Sequence, residues 1–147
     1  MPSTECGFQG CDLLTTNGPT LSVNIGFDPA YRPTAANPPP ILPVNGLPAL
    51  VDTGATDSCI DKLLAAQLRL PVVDRQRIAG VHGAQEVNMH LAQIHVPSFA
   101  VTLYGRFAGV DLIAGGMVHH ALIGRTFLQH FTMVYNGPSG SVVISRA

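Results

Sequence analysis

Leu50-Val51-Asp52-Thr53-Gly54-Ala55 is the stretch that decides how this chain is read. An apolar pair precedes a lone acid, and a small hydroxyl residue and a glycine follow at once. Residues 47–51 have the look of a strand end. The carboxylate of Asp52 is then delivered into a tight turn, where Gly54 lets a backbone or a ligand come close. Asp-Thr-Gly alone also occurs at ordinary turns, because Asp caps the backbone and Gly supplies positive φ. The tripeptide therefore draws its meaning from what surrounds it. It occurs once in 147 residues, and there is no Asp-Ser-Gly elsewhere.

Just downstream, Ile60, Leu63, Leu64 and Leu68 keep one face of a helix apolar over 61–69, with Asp61 and Lys62 in its first turn and Pro71 beyond its end. Upstream, Leu21, Val23, Ile25 and Phe27 alternate with polar residues, which predicts a half-buried strand over 20–27. Seven prolines from Pro29 to Pro48 exclude a regular helix or a central strand there and leave an ordered surface loop. Residues 72–79 and 86–96 read as extended, on either side of a Gly80-Val81-His82-Gly83 turn. Val87, Met89 and Leu91 alternate before the phase slips near Ala92, which predicts a bulge. Short strands are expected over 99–104, 110–113 and 121–123, and a short helix over 125–130. A hairpin of 131–135 and 141–145 should turn at Asn136-Gly137-Pro138-Ser139-Gly140. About eight short strands and two short helices make a mostly-β, barrel-like domain. We place that single domain at 20–147 and expect the polar, glycine-rich residues 1–19 to form a flexible arm.

Composition narrows the function. Apolar residues make up 46% and charged residues only 12%, which suits a compact β-rich domain or a subunit that hides surface in an oligomer. A net charge of −1 offers no basic footprint for nucleic acid or an anionic membrane, so neither is expected as a partner. No apolar run is long enough to span a bilayer, and the first twenty residues lack the features of a signal peptide. The odd set Cys6, Cys11 and Cys59 predicts reduced thiols and a cytoplasmic protein. Met1 favours a chain of its own over a fragment cut from a polyprotein. Neither Cys6–Cys11 nor His90–His95 has zinc-ligand spacing, and adjacent His119 and His120 point apart if extended. We expect no metal and no cofactor. Cys59 reads as a small core residue rather than a nucleophile.

A second stretch, His120-Ala-Leu-Ile-Gly-Arg-Thr-Phe-Leu128, is by itself an apolar strand running into a glycine and a helix start. Set beside Asp52-Thr53-Gly54, its Leu122-Ile123-Gly124-Arg125 resembles the second half of a retroviral-type aspartic protease. Ile78-Ala-Gly-Val-His-Gly83 is similar to the glycine-rich flap of that family. The pieces come in the family's order over 47–131, with 20–27 consistent as the first hairpin strand. The resemblance implies a closed, mostly antiparallel retropepsin-like (acid protease) barrel. It also implies a homodimeric endopeptidase whose two Asp52 carboxylates hold one water across a two-fold axis. Thr53 would brace the two loops, Gly54 admit the substrate backbone, and Ala55 line the adjoining subsite. Gly80, Val81, His82 and Gly83 would form a flap over a peptide or protein substrate, with Val81 at its tip. Leu122, Ile123, Gly124 and Arg125 would support the catalytic loop.

Three departures qualify this. His82 stands in an ordinarily apolar flap. Thr56 stands where the family commonly has an acid paired with the arginine, so either Asp57 takes that role or Arg125 bonds backbone carbonyls. Residues 131–147 are longer than the single closing strand of viral enzymes, so the dimer interface cannot be copied from them. The alternative from another class is a catalytically silent dimer of the same fold that binds a peptide or protein partner. The intact Asp-Thr-Gly argues against it, because a pure binder has no need of a costly carboxylate pair.

Overall fold

A computed structural model describes residues 3–5, 11–34, 37–80 and 83–146. In chain order the elements are β1 (Ser3–Glu5), α1 (Cys11–Asn17), β2 (Thr20–Gly26), β3 (Val44–Val51), β4 (Cys59–Asp61), α2 (Lys62–Gln67) and β5 (Val72–Gly80). There follow β6 (Gly83–Val96), a single 3-10 turn (Pro97–Phe99), β7 (Val101–Val110), β8 (Ala121–Ile123), α3 (Arg125–Leu128), β9 (Phe131–Asn136) and β10 (Ser141–Arg146). The mostly-β class expected from the sequence holds.

The larger sheet closes on itself. β2 pairs with β3, β3 with β8, β8 with β4, β4 with β7, β7 with β6, and β6 returns to β2 through Asn24↔His95. β5 is added to the free length of β6 as a hairpin arm. Most pairs are antiparallel, but β3–β8 and β4–β7 are parallel. The alternation in β2 decides its facing: Leu21, Val23 and Ile25 are buried, while Ser22 is exposed. They meet Ala49, Val51, Ile60, Ile94, Val96 and Ile123 in one core, where burying each large aliphatic side chain stabilises by about 1.5–3 kcal/mol. β10, through Val142 and Ile144, closes one end of that core. Phe131 stacks on Phe127 at 4.4 Å and meets Phe99 edge-on at 4.8 Å, which pins α3 to the body.

Several local expectations are corrected. Within the stretch expected to be a flexible arm, Ser3–Glu5 pairs with β10 and Cys11–Asn17 is helical, with Leu14 buried in the core. α1 is a third short helix beyond the two foreseen. β3 starts at Val44 and contains Pro48. The proline is tolerated because β8 joins β3 only from Ala49 onward. No bulge interrupts β6 at Ala92, where the register with β7 runs unbroken. The irregularity lies in β5 between Val72 and Asp74. The apolar phase slips in β6 because Ala92, Ile94 and Val96 turn to the core, while on the other face Gln93 is polar and buried, its side chain bonding the backbone N–H and carbonyl of Asp28 at 2.7 and 3.2 Å. That contact, with Asp28 Oδ2 accepting from Ile41 N–H, ties down the proline-rich loop. Lastly, β7 is one strand over Val101–Val110 where two were expected. Residues 111–113 leave the ladder because the N–H groups of Leu112 and Ile113 are both taken by Asp61.

Candidate active site

Two parallel strands must end at the same side of a sheet. β3 and β8 pair as Ala49↔Ala121, Leu50↔Leu122 and Val51↔Ile123, so Asp52 and Gly124 emerge side by side. The Asp52 N–H continues the ladder by donating to Ile123 at 2.9 Å. The chain then turns, and Gly54 N–H donates to Asp52 Oδ1 at 2.9 Å, fixing the carboxylate in a half-buried position. A Cβ on Gly54 would sit 3.2 Å from that same oxygen, so a side chain here would crowd the carboxylate.

The loop is held from below by the segment after β8. Arg125 and Thr126 N–H groups donate to the carbonyls of Ala55 and Thr56 at 2.9 and 3.0 Å. Gly124 N–H donates to Ser58 Oγ at 3.1 Å. The Arg125 guanidinium donates to the Thr53 carbonyl at 2.8 Å and to Thr56 Oγ1 at 3.1 Å. This settles the choice left open by the sequence. Arg125 bonds a backbone carbonyl, and the hydroxyl of Thr56 does the acceptor work an acid would do. Gly124 is needed for closeness rather than for φ: a Cβ there would lie 2.7 Å from the Asp57 carbonyl group.

Alongside the loop runs an open groove of about 820 Å³. Gly54, Ala55, Asp57, Met89 and Ala108 line it, together with Ile78 of the β5–β6 hairpin. Cys59 and Leu122 also face the groove. Burial pushes the Cys59 thiol up to about 12; a hydrogen bond at the Leu122 backbone opposes this and the Asp52 charge adds to it. A thiol so far from ionising is not a nucleophile at neutral pH. Among the described residues no group of three or more His, Cys, Asp or Glu is arranged to hold a metal ion.

Asp52, Thr53, Gly54, Ala55 and Asp57 are thus brought together with Leu122, Ile123, Gly124 and Arg125 around one loop. Gly80 and Gly83 pair across the end of the hairpin, with Gly83 at φ 94°, whereas Val81 and His82 lie outside the described residues. Two contributors, Ser58 and Asp61, were not singled out for the loop from the sequence, and Thr56 was noted there only as standing in place of an acid. Ser58 and Thr56 brace the loop, and a hydroxyl in a polar turn carries no pattern that says so. Asp61 is 2% exposed and accepts three backbone N–H bonds, from Leu64, Leu112 and Ile113, each at 3.1 Å. Only its helix-capping part, to Leu64, is suggested by position in the sequence.

The family model described as "gag-polyprotein putative aspartyl protease" matches residues 44–130. The solved structure of EIAV protease complexed with the inhibitor HBY-793 is similar, at 21% identity and a TM-score of 0.49, over 76% of this chain and 85% of that one. No curated protein matches the chain.

Proposed function

Because the chain belongs to the gag-polyprotein aspartyl protease family, we propose that it is an aspartic endopeptidase acting as a two-fold homodimer. One chain supplies one Asp-Thr-Gly loop, so the dyad is Asp52 and the Asp52 of a second copy. Two carboxylates a few ångströms apart cannot both ionise cheaply, and the pair shares one proton. The ionised member takes a proton from the water between them, and that water attacks the peptide carbonyl. The protonated member polarises the carbonyl oxygen and later protonates the leaving amine.

The observation that carries this reading is the Asp52 carboxylate presented at the common end of two parallel strands, fixed by Gly54 N–H and backed by Arg125. The adjoining groove suits an extended peptide, with the β5–β6 hairpin acting as the flap that covers it. Ala55 and Asp57 line the near subsite. Thr53, exposed on the loop, is free to brace against the second copy. The odd cysteine count fits a reducing, cytoplasmic setting, which belongs to the proposal.

The test is peptide-library cleavage by the purified protein from pH 4 to 7, with Asp52→Asn alongside. We expect an acidic optimum, because turnover needs one Asp52 ionised and its mate protonated. The variant should stay folded and lose turnover, since the amide keeps size and most hydrogen bonds but cannot accept the proton. Hydrolysis that persists in Asp52→Asn, or that chelators abolish, would put the chemistry elsewhere. Peptide binding without cleavage by the parent would favour the silent-binder alternative.

A further inference from the structure

Strand pairing lays out the floor of the groove as one row: Leu122 opposite Cys59, Cys59 beside Ala108, Ala108 opposite Met89, and Met89 opposite Asp74. Residues two apart on a strand share a face, so Arg106 joins this floor about 6.6 Å along β7 from Ala108. Among the described residues that line the groove, Arg106 is the one cation, and Asp57 beside the catalytic loop is the one anion. The rest of the floor is largely apolar.

Among the described residues Arg106 has one ion-pair partner, Asp74, and holds it loosely. Its Nη1 stands 3.6 Å from Asp74 Oδ2, beyond hydrogen-bond reach, with the two side chains 56% and 41% exposed. Asp74 is already served by the Arg75 N–H at 2.8 Å and by Gln76 Nε2 at 3.3 Å. A guanidinium carries five donors in a planar fork suited to a carboxylate. An exposed pair of this kind contributes little to stability, so the cation remains available to a ligand lying in the groove.

We propose that Arg106 sets substrate choice: the groove takes peptides in which an apolar segment around the reacting bond is flanked by an acidic side chain that reaches this guanidinium. The idea rests on the protease reading for the bond that is cut, and in a two-fold dimer it places an acidic residue on both sides of that bond. The competing account makes Arg106–Asp74 a strap between β5 and β7 with no part in recognition.

The experiment uses fluorophore-labelled peptides with an apolar centre, each flanking position carrying Glu, Gln or Lys in turn. Cleavage rates are measured for the parent, and equilibrium binding by anisotropy for parent and Asp52→Asn. We expect Glu to be favoured over Gln by about three- to five-fold at one position on each side, less at 0.5 M salt. That ratio should fall to about one in Arg106→Gln and turn toward Lys in Arg106→Glu. In Asp74→Asn it should persist or grow, because Arg106 is then unshared; a strap would make Asp74 and Arg106 variants behave alike. Cleavage by the parent with no Glu preference, or a preference that survives Arg106→Gln, overturns the proposal and leaves the protease reading standing. Glu-selective binding that depends on Arg106, without cleavage, supports it and removes the protease reading. Absence of both cleavage and Arg106-dependent binding overturns both.

Discussion

Replacing Gly124 by Ala should damage the active site out of proportion to the one methyl group it adds. The φ of Gly124 is −93°, so its backbone suits any residue and strain is not the cause. The obstacle is contact: the new Cβ would stand 2.7 Å from the carbonyl carbon and oxygen of Asp57 and 2.9 Å from the carbonyl oxygen of Thr56. These are backbone atoms and cannot swing aside. Restoring ordinary contact means moving the 56–57 backbone by about 0.7 Å, in an interior packed to crystal-like density. Overpacking of this sort costs about 1–3 kcal/mol, or roughly a 1 M drop in urea midpoint for a domain of this size. The displaced backbone carries the Thr56 acceptors of Arg125 and Thr126, and through them the loop that presents Asp52. Misplacing a reacting group by 1 Å costs about 100-fold, so kcat/KM should fall roughly ten- to hundred-fold. Urea denaturation and cleavage of a peptide found with the parent measure the two effects. Gly137→Ala is the control, since its Cβ would meet only Tyr135, at 3.6 Å. A Gly124→Ala protein with parental midpoint and kcat/KM would refute the close-contact argument.

Asp61→Ala should cost about 3–5 kcal/mol in urea denaturation, because three backbone N–H donors, two of them in buried bonds, lose their acceptor, each worth about 1–3 kcal/mol; Asp61→Asn should cost less, and a loss under about 1 kcal/mol in the Ala variant would refute this. Stability should also fall on acidification through His119 and His95. Burial holds both rings below their ordinary value near 6.5, with the neighbouring His120 adding to the effect at His119. A folded-state value below the unfolded one means the contribution is whole above about pH 6.5 and is lost as pH falls through the folded value. His119→Gln, which keeps a donor for Thr20 Oγ1, should flatten the dependence of urea midpoint on pH between 4 and 7, and an unchanged slope would exclude this ring as its source.

The elements that the sequence makes legible are those whose cause is local. The alternation of Leu21, Val23 and Ile25 is a strand wherever it packs, and Asp61 ahead of Leu64 and Leu68 is a helix start because a carboxylate caps free N–H groups. The errors fall where a distant partner overrides the local signal. Gln93 is polar yet buried in β6 because it serves Asp28, 65 residues away. Residues 112–113 read as strand, yet their N–H groups go to Asp61, which stands 51 and 52 positions earlier. The same division runs through the site. Asp52-Thr53-Gly54 announces itself, but what makes its carboxylate usable is the parallel pairing of β3 with β8 across some seventy residues. That pairing is what sets Gly124 and Arg125 against the turn. Parallel strands carry both segments to one end of the sheet, the absence of a Cβ lets them close to contact, and the guanidinium then bonds the turn it has reached. A motif on one strand end thus becomes a site only because a second strand end, running the same way, supplies the floor beneath it.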